Sequence, residues 1–482
     1  MNVVFIAAEC APFAKVGGLA DVVGALPQAL AALGHQVRVI IPCHGIINTD
    51  QHGLELSAGF WMDWSGSTTR VDVLTVERGG VTHDFIRGWP YFSAEDSFVY
   101  AGDDGLNAGR FLFFCAAALE WLRQCAEENG AAPDLIHVHD WHTAPIPYLL
   151  FHRYQDDPFL GGVATLFSIH NMQYQGWGIG WHLERAGLPA VDHPLLTASG
   201  KADNALAVGL LYATMLSTVS PTYAQEITTY EGGNGLDGLT HARQSRLVGI
   251  LNGIDTARWN PGTSRTLTET YTPQTLDNKR HNKLALQNAL GLPLRSDVPL
   301  AAAVTRLVDQ KGISIMVPAV RHMLYHAEMQ FVLLGTGDPH WEHESRGIGF
   351  DYPQKAAIQI GFNEQLSEQI YAGADLFLMP SLFEPCGIGQ MLAMRYGSLP
   401  VVRAVGGLLD TVDPTVGFLF KGYNRQELVQ AISEGLDVFY NNPQQWRARQ
   451  AAAMSRDFSW GTSARQYAEL YHTTVEMHNK YA

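Results

Sequence analysis

Cysteine, charge and long apolar runs are all scarce in this chain of 482 residues, and each scarcity excludes something. The five cysteines (Cys10, Cys43, Cys115, Cys125 and Cys386) are odd in number and scattered, with no C-x-x-C, so neither a disulfide framework nor a structural zinc site is expected. That usage fits a reducing, cytoplasmic location. Charged residues make up 16% of the chain, against an average of about 25%. The deficit is deeper on the basic side, where 32 Lys and Arg face 47 Asp and Glu for a formal net charge of −15. Such a surface repels a phosphate backbone and an anionic bilayer, so no nucleic acid and no membrane is expected as a partner. The longest apolar stretch, Leu206 to Val219, contains Thr, Ser and Tyr and falls short of the roughly 20 residues that span a bilayer. The apolar start Met1–Ala8 lacks the basic residues of a secretory leader and runs into Glu9, so it reads as a first buried strand. No D-x-D occurs, which removes the usual carboxylate clamp for a metal-bound nucleotide diphosphate and leaves Lys15, Arg306, Lys311 and helix N-termini to neutralise one.

What is present suits a large buried α/β enzyme. Apolar residues reach 46% and aromatics 10%, which excludes a disordered chain, and at roughly 100 to 200 residues per domain two large domains are expected. Short β-rich runs bounded by Gly, Pro or Asp recur at Val3–Ala8, Val37–Ile41, Leu135–His139, Ala164–Ile169, Leu216–Ser220 and Leu247–Leu251. They return at Pro299–Thr305, Gln330–Gly335, Ala357–Gly361, Asp375–Pro380 and Leu399–Val402. Helical patterns separate them at Ala108–Cys125, Ile313–His326, Asn363–Ala372, Gln426–Tyr440 and Pro443–Met454. The alternation predicts two doubly wound parallel domains. The rhythm breaks after Leu251-Asn252-Gly253-Ile254-Asp255 into a polar stretch from Trp259 to Asn282, which puts the boundary near residue 253. Val16-Gly17-Gly18-Leu19-Ala20-Asp21-Val22-Val23 and Val405-Gly406-Gly407-Leu408-Leu409-Asp410-Thr411-Val412 agree at six of eight positions, an echo that gives each half a Gly-Gly turn opening a helix.

Four places carry candidate chemistry. The turn at Lys15 to Gly18 follows the first strand, where backbone N–H groups at a helix start can cradle a phosphate, with Lys15 adding charge. Arg306 and Lys311 follow the strand Pro299–Thr305 and can grip a diphosphate at the carboxyl end of a sheet. His137-Val138-His139-Asp140-Trp141-His142 ends another strand: it is either a metal site or a polar strand end lining a cleft, and His170-Asn171 on the next strand end favours a cleft for a hydroxyl-rich ligand. Finally, a buried strand runs into Phe383-Glu384-Pro385-Cys386-Gly387, where a carboxylate can orient sugar hydroxyls or stabilise an oxocarbenium-like centre. No Ser-His-Asp pattern supplies a nucleophile.

Taken together, Lys15-Val16-Gly17-Gly18-Leu19, His139–His142, His170-Asn171, Val219-Ser220-Pro221-Thr222-Tyr223, Leu251–Asp255, Arg306 with Lys311, and Phe383–Gly387 followed by Gly406-Gly407-Leu408 form an ordered set spanning the chain. On these motifs the chain resembles the bacterial glycogen synthases, of the type shared with plant starch synthases. The resemblance implies a GT-B fold, α/β, with two Rossmann-like doubly wound domains facing a central cleft. Residues 1–252 would form the acceptor-side domain and residues 253–458 the nucleotide-sugar domain, with the last helix, 459–482, packing back on the first. It implies transfer of glucose from ADP-glucose to the 4-hydroxyl at the non-reducing end of an α-1,4-glucan, with retention and with no metal or other cofactor. Glu384, His170, Arg306, Lys311 and Asp140 would be catalytic, and Lys15, Gly17, Gly18, Asp21, Asn252, Cys386, Gly387, Gly406, Gly407 and Leu408 would bind substrate. Two positions depart from patterns seen in relatives: Leu392 stands where retaining GT-B enzymes often carry a second Glu, and Leu206-Ala207-Val208-Gly209 lacks a Lys common before the Val-Ser-Pro strand. The competing readings are a related GT-B glucosyltransferase using UDP-glucose or a glucose 1-phosphate acceptor, a metal-dependent hydrolase on His137, His139 and His142, and a silent glucan-binding protein.

Overall fold

The computed structural model describes residues 1–481, and the chain divides into two units, one of Met1–Gly253 with the chain from Trp460 onward, the other of Ile254–Ser459. No helix among the described residues is long and apolar enough to cross a membrane.

The first unit is built on nine strands: β1 (Asn2–Ile6), β2 (Gln36–Pro42), β3 (Glu55–Trp64), β4 (Ser67–Arg78), β5 (Val81–Gly88), β6 (Leu135–His139), β7 (Ala164–Ile169), β8 (Met215–Thr218) and β9 (Leu247–Gly249). Their order in the sheet is β3-β4-β5-β2-β1-β6-β7-β8-β9. Every residue of β6 and β7 is buried, which is why β7 reads as an unbroken apolar or small-residue run rather than as an alternation, whereas β6 also buries His137 and His139. Nothing in the apolar runs announces β3, β4 and β5. Here β4 pairs antiparallel with both neighbours, and one face stays partly solvated, so charged residues and glycine interrupt the pattern. The last helix, Trp460–Tyr481, lies against the helix Gly18–Ala32 and β7. Its Trp460, Ala464, Tyr467, Leu470 and Tyr471 share one core with Val3, Phe5 and Leu26. Each large apolar side chain buried this way stabilises the unit by about 1.5–3 kcal/mol.

The second unit carries β10 (Leu300–Val304), β11 (Gln330–Gly335), β12 (Ala356–Ile360), β13 (Leu376–Met379), β14 (Leu399–Arg403) and β15 (Phe418–Phe420), in the order β12-β11-β10-β13-β14-β15 with every pair parallel. Counted from β10 this is 3-2-1-4-5-6, the doubly wound order, whose ligand crevice opens at the carboxyl ends where the winding reverses. A buried ion pair pins the opposite end: Lys283 Nζ lies 2.6 Å from Asp375 Oδ2, which also accepts the Leu300 N–H at 2.8 Å. The polar stretch Trp259–Asn282 ends inside a helix, Lys279–Ala289, whose buried residues are Lys279, Asn282, Lys283, Leu286 and Gln287. Their polarity hides it from a hydrophobicity reading.

Candidate active site

In the second unit the winding reverses between β10 and β13, and the sequence-predicted residues stand at both strand ends. After β10 the chain turns through Arg306, which is exposed and donates to Gln310 Oε1 at 3.3 Å, to Lys311 and Gly312. Gly312 has φ +74°, and a Cβ there would stand 2.0 Å from the Pro380 carbonyl oxygen, so only glycine lets this turn lie against the end of β13. The approach sets Lys311 Nζ 2.6 Å from Glu384 Oε2, with the two side chains 17% and 6% exposed. Ser381 Oγ donates to the same oxygen at 3.0 Å. Those two donors converge on one oxygen and aim the buried side chain.

The loop bearing Glu384 is fixed from below. The Gly407 N–H donates to the Glu384 carbonyl at 3.0 Å, and the Gln390 side-chain amide donates to the carbonyls of Cys386 and Gly387 at 3.1 and 3.0 Å. Gly387 and Gly406 sit at φ +75° and +44°, Cys386 is buried, and Leu408 packs into the core.

The first unit reverses its winding at β1, between β2 and β6. Beyond β1 lies the predicted Gly-Gly turn, and the helix Gly18–Ala32 starts there with Gly17 as its N-cap residue, in extended conformation at φ −130°. The expectation that its amides stand open to a phosphate is corrected at Gly17. Glu9 Oε2 accepts the Val16 and Gly17 N–H groups at 2.5 and 3.2 Å, so a carboxylate of the chain already takes both. Lys15 is likewise drawn to a neighbour, with its Nζ 2.6 Å from Asp21 Oδ1.

Beyond β6, Asp140 adopts φ +54°, a backbone conformation that costs a non-glycine residue about 1–3 kcal/mol. The strained turn brings its Oδ1 2.7 Å from the His170 N–H. Burial pushes the Asp140 carboxyl up to about 7, against the pull of the His170 and Asn171 amides. Burial also pushes His170 down to about 4 and His142 to about 3, so both are neutral near pH 7. His139 Nδ1 and His170 Nε2 face each other at 3.1 Å, a distance for one shared proton. His137 lies deeper, with its ring nitrogens 2.9 Å from the Tyr471 hydroxyl and 2.6 Å from Ser168 Oγ. Both are therefore committed, and among the described residues no group of three or more His, Cys, Asp or Glu could hold a metal ion. The hydrolase reading built on His137, His139 and His142 loses its ligand set. Asn252 is buried, and its Oδ1 has no hydrogen-bond partner among the described residues.

The structure thus groups Arg306, Lys311, Glu384, Cys386, Gly387 and Gly406–Leu408 in one unit, and Lys15, Gly17, Gly18 and Asp21 with Asp140 and His170 at the reversal of the other. Sequence reasoning missed Glu9, Tyr100, which acts electrostatically on Glu9, and the two holders Ser381 and Gln390. Glu9 had a signal, since it is an acidic residue directly beyond a buried strand and before a glycine turn.

Two doubly wound units, each with charged groups gathered where its winding reverses, define a GT-B glycosyltransferase. The family model for the starch synthase catalytic domain matches residues 2–242, and that for glycosyl transferases group 1 matches residues 299–437. The chain is 41% identical to a glycogen synthase of Thermotoga petrophila over 98% of each chain, and 40% identical to one of Syntrophotalea carbinolica over 99% and 100%. A solved structure of the catalytic domain of starch synthase IV from Arabidopsis thaliana, bound to ADP and acarbose, matches with a TM-score of 0.86 at 35% identity, covering 98% of this chain and 99% of that one. Sucrose-phosphate synthase from Thermosynechococcus elongatus, at 18% identity and a TM-score of 0.60 over 98% and 99%, shares the fold. The chain belongs to the glycogen and starch synthase family.

Proposed function

We propose that the chain transfers glucose from ADP-glucose to the 4-hydroxyl at the non-reducing end of an α-1,4-glucan, with retention of configuration. The observation that carries this reading is the likeness to glycogen synthases over 98% of both chains. The choice of ADP draws on the Arabidopsis thaliana relative, which is bound to that nucleotide. The five scattered cysteines fit a cytoplasmic enzyme.

In this reading Arg306, Lys311 and Lys15, with the helix start at Gly18, neutralise the diphosphate. The second unit is the nucleotide-sugar domain and the first the acceptor side. Glu384 stabilises positive charge that develops on the sugar as the glycosidic bond lengthens. Neutral His170 and the Asn252 amide hydrogen-bond sugar hydroxyls, while Cys386, Gly387 and Gly406–Leu408 shape the sugar's surroundings. Asp140 and Asp21 face the acceptor. The departing phosphate takes the proton of the attacking hydroxyl on the same face, which retains configuration without an enzymic nucleophile.

A sugar-nucleotide panel with glycogen as acceptor tests this, read as nucleoside diphosphate release and as the anomeric configuration of the new linkage. ADP-glucose should give the highest turnover, dependent on glycogen and resistant to excess EDTA. Preference for UDP-glucose, release of free glucose in place of glucan growth, or activity lost on chelation and restored by metal would overturn it.

A further inference from the structure

Glu9 lies just beyond β1 and is almost completely buried, at 3% exposure. One of its oxygens takes two consecutive amides, those of Val16 and Gly17, at 2.5 and 3.2 Å, and the other would stand 3.5 Å from a Cβ on Gly17. Tyr100 stands close enough to act electrostatically on the same carboxylate. Consecutive N–H groups converging on one point are what a loop of this kind offers to an anion, and here the anion is part of the chain. Burial pushes the Glu9 carboxyl up and Asp140 nearby adds to that, while the two amides and Tyr100 pull the other way. Outside this contact stand exposed Lys15 and Gly18, where the helix begins without a side-chain cap among the described residues.

We propose that Glu9 is a positioning residue for the nucleotide sugar: an internal anion seated on the inner amides of the turn, so that a diphosphate meets only Lys15 and the first turn of the helix. Without Glu9 the same turn would offer two further donors, and a phosphate could settle one step too deep, away from the geometry of transfer. The proposal rests on the reading above, in which Lys15 and this turn meet the diphosphate.

The test uses the full chain with two substitutions. Glu9→Gln keeps an oxygen that can accept both amides. Glu9→Ala frees them. In Glu9→Ala, kcat/KM for ADP-glucose should fall by about tenfold or more, the size of one lost charge-assisted contact, while KM for glycogen stays unchanged. Inorganic phosphate should inhibit Glu9→Ala competitively against ADP-glucose and at clearly lower concentration than it inhibits the unsubstituted chain. Glu9→Gln should recover most of both effects. A merely structural Glu9 would instead lower the melting temperature and both substrates' parameters together, with phosphate inhibition unmoved, and that outcome overturns the proposal. If Glu9→Ala melts below the assay temperature, Glu9→Asp, whose carboxylate is drawn back by one methylene, takes its place under the same criteria. If the unsubstituted chain transfers no glucose from ADP-glucose, it is the functional reading that fails. Equilibrium binding of inorganic phosphate to the variant and to the unsubstituted chain then decides on Glu9 by itself: tighter binding by the variant supports it, and equal binding overturns it.

Discussion

The V-G-G-L-x-D sequence occurs once in each unit, opening a helix both times, and its two copies are held in opposite ways. At Gly17-Gly18 a glutamate side chain caps the turn, with Glu9 Oε2 taking the Val16 and Gly17 amides. At Gly406-Gly407 a glutamate main chain does so, with the Glu384 carbonyl taking the Gly407 amide at 3.0 Å. The difference decides what each carboxylate can do. Glu9 is consumed by its own turn, whereas Glu384 fixes the turn through its backbone and keeps its carboxylate for Lys311, 2.6 Å away. The steric demands differ as well: a Cβ on Gly407 would lie 2.2 Å from the Cys386 carbonyl oxygen, but one on Gly18 would meet nothing within 4 Å among the described residues. One pair of glycines locks a loop, and the other leaves a helix start open.

Removing the charge of Glu384 is the most severe way to sharpen this contrast. Glu384→Gln keeps the backbone bond to Gly407 and loses only the carboxylate, so the fold should stand while kcat falls about 10²–10³-fold, the size seen when a preorganised electrostatic contact is removed. Lys311, freed of its partner, should hold ADP more tightly than before. Equilibrium ADP binding beside steady-state rates checks this, and wild-type turnover in Glu384→Gln would reduce Glu384 to a turn residue.

Gly407→Ala comes next. The atom in the way is backbone, so the loop must move, and overpacking of this kind costs about 1–3 kcal/mol. Because the moving atoms carry Glu384 and Cys386, activity should fall further than the loss of stability accounts for. Thermal melts read beside kcat test this, and a variant with unaltered melting and rate would show the lock to be soft.

Parallel strands buried on both faces, such as β7, β10 and β11, were legible in the sequence because burial leaves mostly apolar or small residues. The β3–β4–β5 extension was not legible as an apolar run, since solvent reaches part of one face. Its signal lay in the alternation of buried Thr69, Val71 and Val73 with Thr68, Arg70 and Asp72 along β4. The site split along a similar line. Charged residues at strand ends, Arg306, Lys311, Asp140 and Glu384, stood out because cations and carboxylates are rare there. Partners chosen only by the folded geometry did not: Glu9 on the Val16 and Gly17 amides, Ser381 on Glu384, and the His137–Tyr471 contact between residues 334 positions apart.

Asp140 sharpens the comparison in another way, because among the described residues no Lys or Arg pairs with its carboxylate, whereas Glu384 has Lys311. Burial lifts the Asp140 carboxyl from an ordinary 3.8 to about 7. Between those values the folded chain keeps a proton that the unfolded chain has lost. Its contribution therefore favours folding in acid, declines as pH rises through that window, and is a full cost above about 7. Asp140→Asn removes the cost, so its melting temperature should exceed that of the unsubstituted chain by a margin that grows from pH 5 to pH 8. A margin that is flat or shrinks with pH would mean that the Asp140 carboxylate is well solvated.

The smallest expected change in stability is at Gly18, and it makes the clearest contrast with Gly407. Gly18 is the first residue of its helix, is exposed, and is not among the glycines with positive φ. Alanine there meets no steric obstacle, restricts the unfolded chain and favours the helix, so Gly18→Ala should raise stability by about 0.4–1 kcal/mol. The same methyl stands on the open side of the turn, beside Lys15, where the functional reading brings the diphosphate. Activity and stability should then move in opposite directions: kcat/KM for ADP-glucose falls while the melting temperature holds or rises. At Gly407 the two fall together. If Gly18→Ala is fully active, the glycine is dispensable to the donor, the diphosphate does not approach this turn closely, and Lys15 acts at a distance as a point charge. If Gly18→Ala is destabilised, the helix start is tighter than its geometry indicates, and the contrast between the two glycine pairs collapses into one structural role.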